Sequence, residues 1–253
     1  MALNSTIEWT DATWNPVTGC TKISPGCKYC YAERFAERFR GVPDHPFSQG
    51  FDLKLWPERL ALPLQWKIPK RIFVNSMSDL FHKDVPDGFI AKVFETMLSA
   101  QWHTFQVLTK RSERMMIWTQ NYSKQIGLLK MPPHVWLGVS VENDDYVSRI
   151  RNLQQVPAKI RFLSVEPLIG PVCLNKSRLK GIHWVIVGGE SGPGARPMHP
   201  EWAQSIRRQC HEANVSFFFK QWGAFNVHGE HVGKKAAGRV LNGKIWNEMP
   251  SSA

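Results

Sequence analysis

The chain has 253 residues, 43% of them hydrophobic, and carries 32 Lys+Arg against 21 Asp+Glu for a net charge of +11. No apolar run approaches the roughly 18 residues that a membrane-spanning helix needs. The N-terminal MALNSTIEWTDATWN lacks the basic and apolar segments of a secretory signal, so a cytoplasmic location without a membrane partner is expected. The length suits one large domain or two small ones, and the basic balance favours a polyanionic partner, nucleic acid above all.

In chain order, the first expected strand covers Thr13 to Gly19 and runs into GCTKISPGCKYCYAE. Three of the five cysteines, Cys20, Cys27 and Cys30, fall there in the spacing C-x6-C-x2-C. Three thiolates can hold a metal centre and leave a coordination position open, as catalytic centres require. A structural zinc site is closed by four ligands, and neither His45 nor His82 stands at a recognisable offset. An iron–sulfur cluster with one iron left open fits the spacing better. Gly19, Pro25 and Gly26 let the loop wrap a bulky group, Lys28 adds positive charge, and Tyr29 and Tyr31 flank the last thiol. Cys173 and Cys210 stand alone and read as ordinary small apolar residues.

Residues 40–69 contain five prolines and predict a loop with one or two short helices. From Arg71 a regular grammar begins, in which short apolar runs end in polar residues and amphipathic stretches follow. The runs are Arg71–Val74, Phe105–Leu108, Val135–Val139, Ile160–Leu163, Trp184–Val187 and Phe217–Phe219. Helices are expected over Asp87–Gln101, up to about Gln125, over Asp144–Gln154 and over Pro200–Ala213. Near-continuously apolar strands alternating with helices predict parallel βαβ units. The expected fold is α/β, a parallel and partial (β/α) barrel of six or seven units over residues 1–223. A Gly- and Lys-rich appendage follows over 224–253, with a hairpin signal at Asn242-Gly243. Lys234, Lys235 and Arg239 in this tail suit either phosphate or solvent.

In such a barrel the C-terminal strand ends converge on the chemistry. Here those ends carry Ser76-Ser78-Asp79, Lys110-Arg111, Ser140-Glu142, Ser164-Glu166, Gly188-Gly189-Glu190 and Lys220-Gln221. Glu142, Glu166 and Glu190 recur at intervals of 24 residues, one strand–helix unit each, and are candidate catalytic carboxylates with Lys110 and Lys220 as cations. Gly188 and Gly189 suit either a close approach to a cofactor or a plain turn.

The run GCTKISPGCKYCYAE after a first strand resembles the radical S-adenosylmethionine enzymes, although their usual spacing is C-x3-C-x2-C. More widely, IEWTDATWNPVTGC, FVNSMSDLFHKDVP, LTKR, WLGVSVE, GGESGPGARPMHPEW and FFFKQWG are similar to a phage- and bacterium-associated three-cysteine-motif family of undefined activity. The resemblance implies that Cys20, Cys27 and Cys30 ligate a [4Fe–4S] cluster whose open iron takes S-adenosyl-L-methionine. It implies an external electron donor and hydrogen abstraction by a 5′-deoxyadenosyl radical. It nominates Ser76, Ser78 and Asp79 for the methionine amino group, and Ser140 and Glu142 for the ribose. The family's usual Gly-Gly-Glu is absent after the second strand; the Gly-Gly-Glu at 188–190 follows a later one.

Three functions compete. The first is a radical enzyme that modifies or repairs nucleic acid, supported by the charge and by Trp222 as an exposed stacking aromatic. The second is a radical enzyme acting on a small metabolite or peptide. The third is a zinc-stabilised nucleic-acid-binding protein.

Overall fold

The computed structural model describes residues 4–250. The strands are β1 (Ala12–Trp14), β2 (Val17–Thr18), β3 (Lys54–Leu55), β4 (Arg71–Val74), β5 (Thr104–Thr109), β6 (Met131–Ser140), β7 (Ala158–Val165), β8 (Trp184–Gly188) and β9 (Ser216–Gln221). The helices are α1 (Tyr31–Glu37), α2 (Leu62–Gln65), α3 (Asp87–Ser99), α4 (Ser112–Gln125), α5 (Ser148–Gln154), α6 (Lys176–Leu179), α7 (Pro200–Glu212) and α8 (Lys234–Ala237). Seven strands form one sheet in the order β1-β4-β5-β6-β7-β8-β9, so each strand lies beside the next after a helical crossover. The architecture is α/β, a partial (β/α) barrel. Among the described residues no helix is long and apolar enough to cross a membrane.

By internal packing the chain divides into two units. The first is Met1–Ile23, Cys30–Leu137 and Val156–Lys159; the second is Ser24–Tyr29, Gly138–Gln155 and Ile160–Ala253.

In the first unit, β1, β4 and β5 pair in parallel, Thr13 opposite Phe73 and Phe73 opposite Gln106. The expected strand over Thr13 to Gly19 is two pieces. Pro16 has no amide to give a ladder, so the chain turns there, and β2 pairs antiparallel with β3 instead. Buried Phe89, Ile90, Val93, Phe94 and Met97 form the apolar stripe of α3, at the 3- and 4-residue spacing of a helix packed by one face. Two buried histidines here are tied to their surroundings by both ring nitrogens. His103 accepts the Lys70 amide at Nδ1 (3.1 Å) and contacts the Pro63 carbonyl through Nε2 (3.0 Å). His82 accepts the Asp84 amide at Nδ1 (3.3 Å) and meets the Thr21 hydroxyl through Nε2 (2.8 Å).

In the second unit, β7, β8 and β9 pair in parallel, and α7 packs on β8 and β9 through Ala203, Ile206 and Cys210. Burial pushes the Cys210 thiol up to about 12, so it is inert in the core. Cys173, by contrast, is exposed. Residues after Gly223 fold back on β9. The Phe219 amide donates to the Trp246 carbonyl (3.0 Å), the Glu248 amide donates to Phe217 (3.2 Å), and Phe218 bridges Asn247 antiparallel. This pairing occupies the outer edge of β9, which would otherwise present unpaired backbone groups. Asn242 and Gly243 sit at positive φ (52° and 74°) inside a Leu241–Lys244 bridge, the geometry of a two-residue hairpin turn. Trp222 is not an exposed stacking residue. It is 3% exposed, and its indole N–H donates to the Val240 carbonyl (2.8 Å). The folded-back tail is what covers it.

Two predictions follow from this packing. Burial first, together with the nearby Arg111 charge for His82, holds the pKa values of His82, His103 and His134 below the ordinary histidine value. A depressed histidine pKa gives stability that is complete above the unfolded value of about 6.5 and is lost as pH falls toward the folded value. Tm should therefore drop between pH 7 and pH 5, and less steeply in His103→Gln. At Gly189 a Cβ would lie 1.9 Å from the Trp222 carbonyl oxygen. Gly189→Ala should cost about 1–3 kcal/mol by urea denaturation, the usual range for overpacking.

Candidate functional site

The polar strand ends become ordered networks, each within its own unit. In the first unit, Asp79 is buried after β4 and accepts from the Thr109 hydroxyl (2.6 Å) and from the amides of Phe81 (3.0 Å) and Lys110 (3.2 Å). Arg111 Nη1 donates to Asp79 Oδ2 (3.0 Å) and to Cys20 Sγ (3.4 Å), while its Nη2 donates to the Thr21 carbonyl and hydroxyl (both 3.0 Å). Burial disfavours the Arg111 charge, yet Asp79 and Cys20 outweigh it and hold the pKa above the usual arginine value. The first cysteine, the segment after β4 and the end of β5 thus share one guanidinium.

Other contacts tie the cysteine loop to the Ser76–Ser78 segment. The Gly19 amide donates to the Met77 carbonyl (3.1 Å), and Gly19 bridges Ser78 as in a parallel ladder. The Tyr31 hydroxyl donates to the Ser76 carbonyl. Ser76 donates to Asn15 (3.2 Å) and Ser78 to the Val17 carbonyl (2.8 Å), both hydroxyls half-buried. Cys20 and Cys30 pack on the small apolar cluster of Ala32, Ala36 and Phe51. His45 stacks on Phe39 with ring centres 3.8 Å apart.

In the second unit, Pro25–Cys27 form one 3-10 turn. Ser24 donates to Glu142 Oε1 (2.7 Å), and its hydroxyl lies 3.6 Å from Cys27 Sγ. Glu142, after β6, is 0% exposed, and Arg149 Nη1 bonds its Oε2 (2.8 Å) and the Ser140 carbonyl (2.8 Å). Glu190, after β8, holds Arg196 through Nε (2.8 Å), Nη2 (2.6 Å) and the backbone amide (3.0 Å). The hydrogen bond to Glu190 holds the Arg196 pKa above its usual value. Glu166, after β7, is the most accessible of the three carboxylates. It lies 3.4 Å from Lys220 Nζ, and the two side chains are 15% and 19% exposed.

The need for glycine at 188 and 189 is met by internal contacts. A Cβ at Gly188 would lie 2.3 Å from Glu166 Oε1, and the Gly189 amide already donates to the Gln221 carbonyl (3.0 Å). Of the cations anticipated from sequence, Lys220 meets Glu166 and Arg111 meets Asp79, while the half-buried Lys110 gives its backbone amide to Asp79. Sequence reasoning missed Arg149 and Arg196. Arg149 sits seven residues after Glu142 and Arg196 six after Glu190, spacings that carry no motif.

Cys20, Cys27 and Cys30 form no disulfide, and each is partly exposed. The Ser24 proton goes to Glu142, so the Cys27 thiol is the donor in its contact with Ser24, whereas Cys20 Sγ has a guanidinium donor in Arg111. Such a donor suits a metal-bound thiolate, whose charge it stabilises. The donor chemistry at Cys20 therefore fits a thiolate-held cluster. Among the described residues no group of three or more His, Cys, Asp or Glu is gathered as a metal site. The assignment of the three thiols as ligands accordingly rests on their spacing and chemistry.

The buried pair gives a test. Arg149→Ala would leave the Glu142 charge buried and unpaired, and should cost about 3–5 kcal/mol in denaturant unfolding. Combining Arg149→Met with Glu142→Gln should recover much of that loss, a non-additivity read by a double-mutant cycle.

Several solved structures of spore photoproduct lyase align with the chain. A cysteine-to-serine variant of spore photoproduct lyase aligns over 86% of this chain and 78% of its own, with 11% identity and a TM-score of 0.51. Spore photoproduct lyase complexed with dinucleoside spore photoproduct aligns over 79% of this chain and 60% of its own (11% identity, TM-score 0.43). A further variant with bound AdoMet and dinucleoside spore photoproduct aligns over 82% and 54% (13% identity, TM-score 0.42). At these identities the first likeness is one of fold. No curated protein sequence matches the chain. A family model does, over residues 4–250, nearly the entire length. The chain therefore belongs to the family described as Protein of unknown function (DUF5131).

Proposed function

We propose that this protein is a [4Fe–4S]-dependent radical S-adenosylmethionine enzyme that modifies or repairs nucleic acid. The observation that carries the reading is Arg111, which bonds Cys20 Sγ and Asp79 together (3.4 and 3.0 Å). It joins the first thiol of the cysteine motif to the strand-end segment that the sequence resemblance nominates for the S-adenosylmethionine amino group. The partial (β/α) barrel and its likeness to spore photoproduct lyase support the same class.

In this reading Cys20, Cys27 and Cys30 would hold the cluster, which together with S-adenosylmethionine supplies one-electron cleavage chemistry fed by an external electron donor. The chain's own residues do the rest. Ser76 and Ser78 present half-buried hydroxyls beside the loop. Asp79 keeps Arg111 in place and is itself fixed by three other hydrogen bonds it accepts at the ends of β4 and β5, from the Thr109 hydroxyl and the Phe81 and Lys110 amides. Ser140, at the end of β6, would hold the ribose, while Gly188 and Gly189 serve the close packing of their strand end. The Glu166–Lys220 pair, 3.4 Å apart and partly exposed, is the strand-end ion pair best placed to reach a substrate. Nucleic acid as substrate is supported by the +11 charge.

Anaerobic reconstitution should load about 4 Fe and matching sulfide per chain, with reductive release of 5′-deoxyadenosine from S-adenosylmethionine. Cys27→Ala should abolish both. One zinc without sulfide would replace this reading with a zinc-stabilised binding protein. Binding to single-stranded DNA or RNA should weaken steeply with salt; absence of binding at low salt would move the substrate to a metabolite or peptide.

A further inference from the structure

Two of the three strand-end carboxylates are linked to the turn that carries Cys27, Glu142 directly and Glu190 through Arg196. Glu142 has no exposed surface. One of its oxygens takes the Ser24 hydroxyl and the other takes Arg149. Its chain also fills the space beside Gly26, where a Cβ would lie 2.4 Å from Glu142 Cγ. Only glycine lets the turn sit this close.

A second set of contacts reaches the same six residues. Arg196, oriented by Glu190, donates through Nη2 to the Pro25 carbonyl (3.0 Å). Its guanidinium lies 5.5 Å from the centre of the Tyr29 ring. Gly194, at φ +77°, backs against that ring, since a Cβ there would meet Tyr29 Cε1 at 2.8 Å. Residues 24–29 accordingly pack with the second unit, although the chain on either side packs with the first.

We propose that Glu142 and Glu190 are positioning residues. Glu142 acts through Ser24 and Glu190 through Arg196, and together they clasp the Ser24–Tyr29 turn and set the place of Cys27. A carboxylate that is fully buried and doubly engaged has no oxygen left for a substrate. Its charge orders a loop instead. The charge-assisted Ser24 bond fixes the start of the turn, the Arg196 bond fixes the Pro25 carbonyl, and the two glycines admit the close approach. The part concerning metal loading rests on the reading of the three cysteines as ligands; the clasp itself does not.

The test uses the full chain in two arms. In metal-free protein, hydrogen exchange by mass spectrometry should show the peptide spanning 24–29 exchanging about tenfold faster in Ser24→Ala and in Arg196→Ala, the scale of losing one charge-assisted hydrogen bond. Peptides from β4 and β5 should keep their wild-type rates. Ser24→Thr, which retains the hydroxyl, should restore protection, and Arg178→Ala, at an exposed ion pair with Asp144, should leave the turn unchanged. In reconstituted protein, iron retained after gel filtration should fall several-fold in Ser24→Ala and return in Ser24→Thr. Wild-type exchange at 24–29 in both Ser24→Ala and Arg196→Ala would overturn the clasp. Faster exchange there, with a wild-type chain that binds no iron, would uphold the clasp and defeat the cofactor reading instead.

Discussion

A carboxylate taken out of water must find its compensation inside the protein, and in this chain that requirement organises the ends of the strands. Asp79, Glu142 and Glu190 are all buried, and each is met by an arginine: Arg111, Arg149 and Arg196. An unpaired charge at such depth costs several kcal/mol, so each pair also dictates where its surrounding backbone lies. Asp79 gathers the turn after β4 and the start of α4. Glu142 draws in Ser24, and Glu190 orders the loop up to Arg196. These loops are therefore held by directional, nearly saturated polar networks, which tolerate far less slippage than apolar contacts would.

The same networks explain where glycine is required. Gly26, Gly188 and Gly189 each stand where a Cβ would strike a neighbour at under 2.5 Å: Glu142, Glu166 and the Trp222 carbonyl. Their role is close packing of one strand end or loop against the next. Against this fixed background the less buried groups stand out. The three thiols of the cysteine loop, the hydroxyls of Ser76 and Ser78, and the Glu166–Lys220 pair all keep some access.

The fold was largely legible in the chain because its signals are local and periodic. Apolar β-branched and aromatic runs such as Ile72–Val74 and Trp184–Val187 are buried on both faces, and the stripe along Asp87–Ser99 repeats at helical spacing. Both patterns follow from backbone geometry alone. The break at Pro16 divided an expected strand because one missing amide outweighs the apolar character around it. Trp222 misled because an aromatic after a strand looks alike whether water or chain covers it, and here Val240 and the returning tail cover it.

The sequence by itself determined the order of strands and helices, the set of polar residues at the strand ends, and the three closely spaced thiols. Each of these is written in neighbouring residues. Only the tertiary structure decided which of those polar residues are spent on one another. Glu142 meets Ser24 across 118 positions and Arg111 meets Cys20 across 91. Pairings at that separation are fixed by how strands stack and where charge is buried, and no local pattern encodes them.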